Sequence, residues 1–151
     1  MVLSTKSYPL QQCLQNKTKL NVYILTLFPE NLKQTFLKGI FKKAVDQNKI
    51  SINFINIRDF AEDKHLKVDD YKCGPGPGMV LKVDVLDRAL KSISSIENYQ
   101  IIYTCPKGEL LQQSIANQLV QTKGLVIICG YYEGVDERIF DLYPIKRISL
   151  G

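Results

Sequence analysis

Four short apolar runs, separated by segments of helical periodicity, restrict this chain to the α/β class of folds. The runs cover residues 22–28, 50–57, 100–105 and 125–129 and are rich in Val, Ile, Leu, Tyr and Phe. Near-continuous apolar strands are typical of a parallel sheet covered on both faces, because a half-solvated sheet alternates polar and apolar residues. Strands that alternate with helices predict right-handed βαβ units. We therefore predict a parallel sheet with helices on both faces.

The segments between the runs predict four helices. In the first, Leu32, Phe36 and Ile40 recur at a spacing that traces one helical face, and Pro29 suits the first turn. The lysines of this helix lie mostly off that face and are interpreted as solvated, with anion binding as the less favoured alternative. The first predicted helix covers residues 30–47, and the second begins at Asp84 as its N-cap. The third covers 111–121, and the fourth begins near Asp136.

Length and composition are those of one globular domain. The chain has 151 residues, of which 45% are hydrophobic and 23% charged, and this excludes disordered, collagen-like and heptad-only coiled-coil proteins. No apolar run approaches the ~20 residues of a membrane helix, so we expect no membrane partner. The net charge of +5 permits an anionic partner such as nucleic acid.

Cysteine and histidine usage argues against a metal site. The four cysteines form no C-x-x-C pair, and His65 is the single histidine. We predict reduced, buried thiols and an intracellular protein. Residues 1–20 are polar and carry no secretory signal, and we expect them to form a flexible leader before the first strand.

Three glycine-bearing segments are candidates for a binding site. The segment 70–78 reads D-x-x-x-G-x-G-x-G, but no apolar strand precedes it, and its prolines remove backbone donors, so a rigid surface loop is the better interpretation. The segments 105–108 and 130–138 each follow a predicted strand, at the edge where open α/β sheets bind ligands. The alternative is that both segments are simple turns, in which Asp136 and Glu137 interact favourably with the positive end of a helix dipole. Residues 148–151 are expected to form a third loop.

Several segments together resemble one family, the bacterial tRNA (guanine-N1)-methyltransferases of the SPOUT class, or TrmD family. The resemblance covers about residues 21–151, and order and spacing agree throughout. The matching segments are Leu27-Phe28-Pro29-Glu30, Ile57-Arg58-Asp59-Phe60, Lys64-His65 with Val68-Asp69-Asp70, Gly74-x-Gly76-Pro77-Gly78-Met79, Cys105-Pro106-x-Gly108 and the run from Cys129 to Arg138, CGYYEGVDER.

The resemblance implies a fold, a cofactor and a reaction. Members of the family fold around a deep trefoil knot, act as homodimers and bind S-adenosyl-L-methionine in the knot. They methylate N1 of the guanosine that lies 3′ of the tRNA anticodon. Carried over to this chain, the cofactor-binding residues would be Tyr103, Thr104, Pro106, Gly108, Gly130, Tyr132, Glu133, Gly134, Ile148, Leu150 and Gly151.

Substrate-binding residues follow from the same resemblance. They would be Arg58, His65, Asp69, Asp70, Gly76 and Gly78, with Glu133 as a further possible substrate contact. Taken alone, His65 lies in a charged segment and is more simply interpreted as a solvated histidine. The reaction requires an in-line approach of the methyl group, a base for the guanine N1 proton and a target base that leaves its stack.

The chain departs from the family pattern in three places. Pro75 replaces a glycine, and Tyr131 stands where many members have arginine. Family members also continue after Gly151 with the last knot loop, the residue assigned as general base and a helical C-terminal domain. We therefore expect an incomplete knot and impaired methylation in the cytoplasm. The alternatives are an inactive remnant that only dimerises or binds RNA, and an unrelated nucleotide-binding domain, which the lack of a P-loop disfavours.

Overall fold

A computed structural model of the chain describes residues 19–62, 68–71, 79–130 and 134–151. The main sheet has five parallel strands in the order β2-β1-β6-β5-β7. A separate antiparallel hairpin joins β3 to β4. The strands are β1 (Leu20–Thr26), β2 (Ile50–Asn56), β3 (Asp69–Tyr71), β4 (Met79–Leu81), β5 (Gln100–Leu110), β6 (Gly124–Cys129) and β7 (Ile145–Ser149). The predicted parallel α/β sheet is confirmed.

Helices and short 3-10 turns connect the strands. The α-helices are α1 (Pro29–Phe36), α2 (Gly39–Asp46), α3 (Val83–Lys91), α4 (Gln113–Leu119) and α5 (Ile139–Leu142), and the 3-10 turns are Ile57–Phe60 and Ile96–Asn98. None of the helices within the described ranges combines the length and the apolar character needed to cross a bilayer.

The alternation of side chains along the strands creates two cores. The larger one contains Leu25, Tyr103 and Ile128 of the sheet together with Leu86 of α3 and Ile139 of α5. The smaller core lies among Ile102, Leu125, Ile148 and Ile115 of α4. Because neighbouring residues of a strand point to opposite faces, Ile102 and Tyr103 belong to different cores. Helices therefore pack on both faces of the sheet, as predicted.

The predicted helix over 30–47 is wrong in one respect, since the structure divides it into α1 and α2. Lys38 is extended, with φ −127° and ψ 160°, and Gly39 has φ +61°. A positive φ interrupts the helical hydrogen-bond ladder, and glycine adopts it without steric cost. Neither helix buries a residue, although the Phe36 ring contacts the Phe54 ring edge-on at 5.7 Å.

The other predicted helices differ at their ends. The N-cap of α3 is Lys82. Asp84 lies in the first turn, where its carboxylate is 3.6 Å from the Arg88 guanidinium and interacts favourably with the positive end of the helix dipole. Helix α4 is shorter than the predicted 111–121, and α5 begins three residues after Asp136.

Two further expectations need correction. Strand β7 contains Ile148 and Ser149, so only the last two residues of the predicted loop 148–151 follow the strand. Its adjacent basic residues, Lys146 and Arg147, hid it, because they interrupt the apolar run that marks a buried strand. The described cysteines, Cys105 and Cys129, are free thiols but half-buried rather than buried. Cys13 and Cys73 lie outside the described residues.

Replacing Leu86 by alanine tests the larger core. Leu86 is fully buried, so Leu86→Ala removes apolar contacts and leaves a cavity, and we expect a loss of about 3 kcal/mol in the free energy of unfolding. Urea denaturation followed by circular dichroism measures this loss. The matched control is Leu142→Ala, because Leu142 is 58% exposed and should change stability by less than about 0.5 kcal/mol. Equal effects of the two variants would contradict the described core.

Candidate cofactor-binding cleft

The order of the strands places a crevice at the carboxyl end of β5. From β5 the chain passes to β6 on one side and then returns to β7 on the other side. Open α/β sheets bind ligands where the direction of strand addition reverses in this way, because the connections diverge and leave a crevice. The segment 105–108, predicted as a loop after the strand, instead lies within β5, which continues to Leu110. This part of β5 and the segments after β6 and β7 lie at this edge, which identifies it as the candidate site.

An interruption in the pairing of β5 with β7 opens the cleft. Thr104 and Glu109 of β5 are both in register with Ile148 of β7, so residues 105–108 leave the ladder as a bulge. The pairing resumes at Leu110 with Ser149, and the backbone N–H of Leu111 donates to the Ser149 carbonyl at 2.8 Å. The bulge is therefore held at both ends by the same strand.

The cleft beside this bulge is open and has a volume of about 210 Å³. Ser149 is buried, and its hydroxyl accepts a hydrogen bond from the Gly151 backbone N–H at 3.3 Å. Leu150 is 73% exposed and forms an outer wall. The lining consists of Thr104, Cys105, Pro106, Ser149, Leu150 and Gly151. The side chains of this lining are uncharged and combine apolar walls with short polar groups, a chemistry suited to a nucleoside.

Gly108 allows two backbone segments to pass in contact. A Cβ atom at Gly108 would lie 2.5 Å from the backbone nitrogen of Ile148 and 2.6 Å from the carbonyl carbon of Arg147. Real Cβ atoms do not approach backbone so closely, and neither segment is a flexible side-chain end. The shape of the cleft therefore depends on a glycine at this position.

Tyr103 forms the inner support of the loop after β6. A Cβ atom at Gly130 would lie 2.8 Å from the Tyr103 hydroxyl oxygen, and one at Gly134, where φ is +134°, would lie 3.4 Å from it. The Tyr103 ring also contacts Phe140 edge-on at 5.9 Å. Burial raises the pKa of the Tyr103 phenol, so its hydroxyl stays protonated at neutral pH.

The hairpin β3–β4 is attached to the far end of the same loop. Leu81 pairs with Val135, its N–H donates to the Gly134 carbonyl at 3.0 Å, and its carbonyl accepts from the Asp136 N–H at 3.0 Å. Leu81 is also in register with Asp69. The backbone ladder thus aligns Asp69, Leu81 and Val135, which places the predicted substrate strand beside the predicted cofactor loop.

The segment after this loop follows the simpler interpretation offered by the sequence. The Asp136 carboxylate accepts from the Arg138 backbone N–H at 3.1 Å and pairs with the Arg138 guanidinium at 2.6 Å. The Arg138 side chain holds the pKa of Asp136 below its usual range. Asp136 therefore stabilises the turn into α5 and is not directed into the cleft.

The structure separates the predicted cofactor-binding residues into three groups. Thr104, Pro106, Leu150 and Gly151 line the cleft. Gly108 allows the close passage beside the cleft, and Gly130 and Gly134 lie against Tyr103 outside the described lining. The Ile148 side chain is buried in the smaller core, so only its backbone borders the site. Tyr132 and Glu133 lie outside the described residues.

The predicted substrate-binding residues are only partly brought together. Asp69 and Asp70 lie on β3, beside the loop after β6. Arg58 lies in the 3-10 turn after β2, and β1 and β6 separate β2 from β5. Arg58 therefore shares the carboxyl edge of the sheet but does not line the cleft. His65, Gly76 and Gly78 lie outside the described residues.

Two lining residues, Cys105 and Ser149, were absent from the residues predicted for cofactor binding. Both lie within segments that the sequence had marked as loops, and their neighbours Thr104, Pro106 and Leu150 were predicted. A signal was available for Ser149, because it is the one polar residue between two aliphatic residues at the end of a strand. Its role depends on burial, which the tertiary fold determines.

Comparison with known proteins places this chain in a family. Residues 20–151 match the family described as tRNA (Guanine-1)-methyltransferase TrmD. The chain is 43% identical to the tRNA (guanine-N(1)-)-methyltransferase of Caldanaerobacter subterraneus over 128 residues, which is 85% of this chain and 53% of that protein. It is 42% identical to the Clostridioides difficile protein of the same name over 132 residues, which is 85% of this chain and 57% of that protein. The chain thus spans about half the length of the curated relatives it matches.

The Gly108→Ala variant tests the close passage that shapes the cleft. The added methyl group must displace backbone of β7, so we expect a loss of about 1–3 kcal/mol in the free energy of unfolding. Urea denaturation measures it. The control is Gly39→Asn, because Gly39 has open space around its Cβ position and asparagine accepts its positive φ. A Gly108→Ala variant as stable as the wild type would show that the two segments do not pass in contact.

Proposed function

Because the chain belongs to the tRNA (Guanine-1)-methyltransferase family, we propose that it acts in methyl transfer from S-adenosyl-L-methionine to N1 of the guanosine that lies 3′ of the tRNA anticodon. The observation that carries the proposal is the cleft, lined by uncharged side chains, between the bulge of β5 and the end of β7. It lies at the edge where α/β sheets bind nucleotide ligands. We assign this activity to a methyltransferase domain formed by residues 21–151, preceded by a leader of residues 1–20.

The residues of the cleft fit a cofactor that carries an adenosine. Pro106 and Leu150 present apolar surface for a flat base, and Thr104 and Ser149 provide short polar groups beside exposed backbone. The bound cofactor would supply a methyl group on a positively charged sulfur. The chain would supply orientation, because methyl transfer requires the donor and acceptor atoms to be held in line. We assign the knot of the family fold to the segments 103–108, 130–134 and 148–151.

Substrate recognition is proposed for the neighbouring hairpin. Asp69 and Asp70 lie on β3, which the Leu81–Val135 bridge holds against the loop after β6. We propose the same role for Arg58, His65, Gly76 and Gly78, and for Glu133 as a substrate contact next to the cofactor. The net charge of +5 supports binding to tRNA phosphates, which gives affinity that falls with added salt.

The described lining of the cleft offers no evident base for the guanine N1 proton. Among the described lining residues only Cys105 is titratable, and thiols are poor candidates beside carboxylates and histidine for this role. The cleft is also smaller than the ~300–1,000 Å³ of ordinary ligand pockets, and Leu150 is largely exposed. We therefore propose that this 151-residue chain binds S-adenosyl-L-methionine weakly and transfers methyl groups slowly.

Two assays on the 151-residue protein test the activity. In calorimetric titration with S-adenosyl-L-methionine we expect binding weaker than the micromolar range (Kd above ~10⁻⁵ M, a binding free energy of about −7 kcal/mol). With tritiated cofactor we expect slow labelling of a tRNA transcript that has guanosine 3′ of the anticodon, and none when adenosine replaces it. A low-micromolar Kd would contradict the weak-binding proposal. Retained tRNA binding without any methyl transfer would select a remnant that only dimerises or binds RNA.

We further propose that the protein functions as a homodimer in the cytoplasm, where tRNA is modified. The free thiols at Cys105 and Cys129 suit a reducing compartment. Large apolar side chains remain exposed along α1 and α2, where both helices lack buried residues. They include Leu37, Ile40 and Phe41, of which Ile40 is 77% exposed. Apolar surface of this kind is a site of subunit contact in many proteins, and a second copy is the occupant that the family resemblance implies.

Ile40→Lys tests the dimer. Placing a charge in an apolar subunit interface leaves that charge desolvated and unpaired, so the variant should shift the protein toward the monomer by at least about tenfold in dissociation constant. Sedimentation velocity over a range of protein concentrations measures the shift. The control is Val120→Lys, because Val120 is 42% exposed and lies at the end of α4. A monomeric wild type, or a dimer that Ile40→Lys leaves intact, would contradict the proposed contact.

A further inference from the structure

Arg147 connects β7, the strand that ends in the cleft wall, to the segment around Glu137 and Phe140 that follows β6. It lies on β7, two residues before the buried Ser149, and it is in register with Tyr103 of β5. Its guanidinium carbon lies 3.8 Å from the centre of the Phe140 ring. Its Nη2 donates to the Glu137 carboxylate at 2.5 Å. One side chain on β7 therefore makes two contacts with the segment that follows the loop after β6.

The contacts continue from Phe140 to the backbone of that loop. The Phe140 ring lies edge-on to the Tyr103 ring at 5.9 Å. The Tyr103 ring and hydroxyl lie directly against Gly130 and Gly134, the glycines at the two ends of the loop. The series Arg147, Phe140, Tyr103 and the two glycines thus forms a continuous packed path from the last strand to the loop after β6.

We propose that Arg147 is a positioning residue for the cofactor, because it holds Gly130 and Gly134, the described residues at the two ends of the loop after β6, in place relative to Leu150 and Gly151 at the end of β7. The inference rests on the proposed function of the cleft. A planar guanidinium can stack its face on a ring while the N–H groups at its edge pair with a carboxylate, whereas an ammonium group has no planar face to stack. Neither Arg147 nor Phe140 lines the cleft among the described residues, so the effect is transmitted through Tyr103 and the strand.

This role differs from a contribution to overall stability. The Arg147 and Glu137 side chains are 38% and 76% exposed, and ion pairs of this exposure contribute little to the unfolding equilibrium. They can still change the fraction of molecules in which the segments after β6 and β7 are arranged to bind the ligand. Since apparent affinity scales with the population of the competent arrangement, loss of Arg147 should weaken binding more than it lowers the melting temperature.

The test compares Arg147→Met with Lys146→Met. Methionine keeps most of the apolar stem of arginine but removes its charge and its planar head. Lys146 is the matched control, because it is the neighbouring residue on β7, is 33% exposed and also pairs with a carboxylate, that of Glu109 at 3.3 Å. In calorimetric titration with S-adenosyl-L-methionine we expect Arg147→Met to raise Kd about fivefold, and Lys146→Met to leave it within about twofold.

Amide NMR of the ligand-free protein keeps this test independent of the proposed activity. We expect Arg147→Met to shift or broaden the amide signals of Gly130, Gly134 and Gly151, with melting temperatures of both variants within about 3 °C of the wild type. If the wild type binds no cofactor but these signals still move, the proposed function fails and the positioning of the loops by Arg147 stands. Unchanged amides and Kd in Arg147→Met, equal effects in Lys146→Met, or a lower melting temperature with unchanged Kd would overturn the inference.

Discussion

The close passage of β5 and β7 is the constraint on which the rest of the site depends. Thr104 and Glu109 both pair with Ile148, so a single residue of β7 closes the base of the bulge that contains 105–108. Gly108 lies against the backbone of Arg147 and Ile148 with no space for a Cβ atom. Because a larger residue would push the strands apart, this one glycine determines both the separation of the two segments and the width of the cleft between them.

The site is built from elements that hold one another through backbone and ring contacts. The hairpin β3–β4 is joined to the loop after β6 by the Leu81–Val135 bridge, and that loop rests on Tyr103. Arg147 then connects the same region to the strand that ends in Leu150 and Gly151. Such a network places the strand proposed to bind substrate and the loop proposed to bind cofactor at a fixed separation, which is what the transfer of a group between two bound molecules requires.

The exposed surfaces of the molecule contrast with this well-packed region. Helices α1 and α2 contact β2 but bury no residue, and their basic side chains pair locally, Lys33 with Glu30 and Lys42 with Asp46. Exposed pairs of this kind contribute little to stability. The larger core, by contrast, lies between the sheet and α3, where Leu86, Ala89 and Leu90 are fully buried. Stability and the positioning of the site are therefore concentrated on the side of the sheet that carries Tyr103.

The sequence by itself determined the α/β class and four of the five strands of the sheet, because buried parallel strands need apolar residues on both faces and this requirement is visible as continuous runs. It also showed, through the order of its loop motifs, which family the chain resembles. It did not reveal strand β7, in which Lys146 and Arg147 interrupt the apolar pattern, or the break between α1 and α2 at Gly39. Only the tertiary structure decided that Ser149 is buried in the cleft wall, that the Ile148 side chain belongs to a core, and that Arg147 contacts Phe140. Those properties depend on which strands are neighbours, and neighbours in a sheet are set by long-range packing rather than by local sequence.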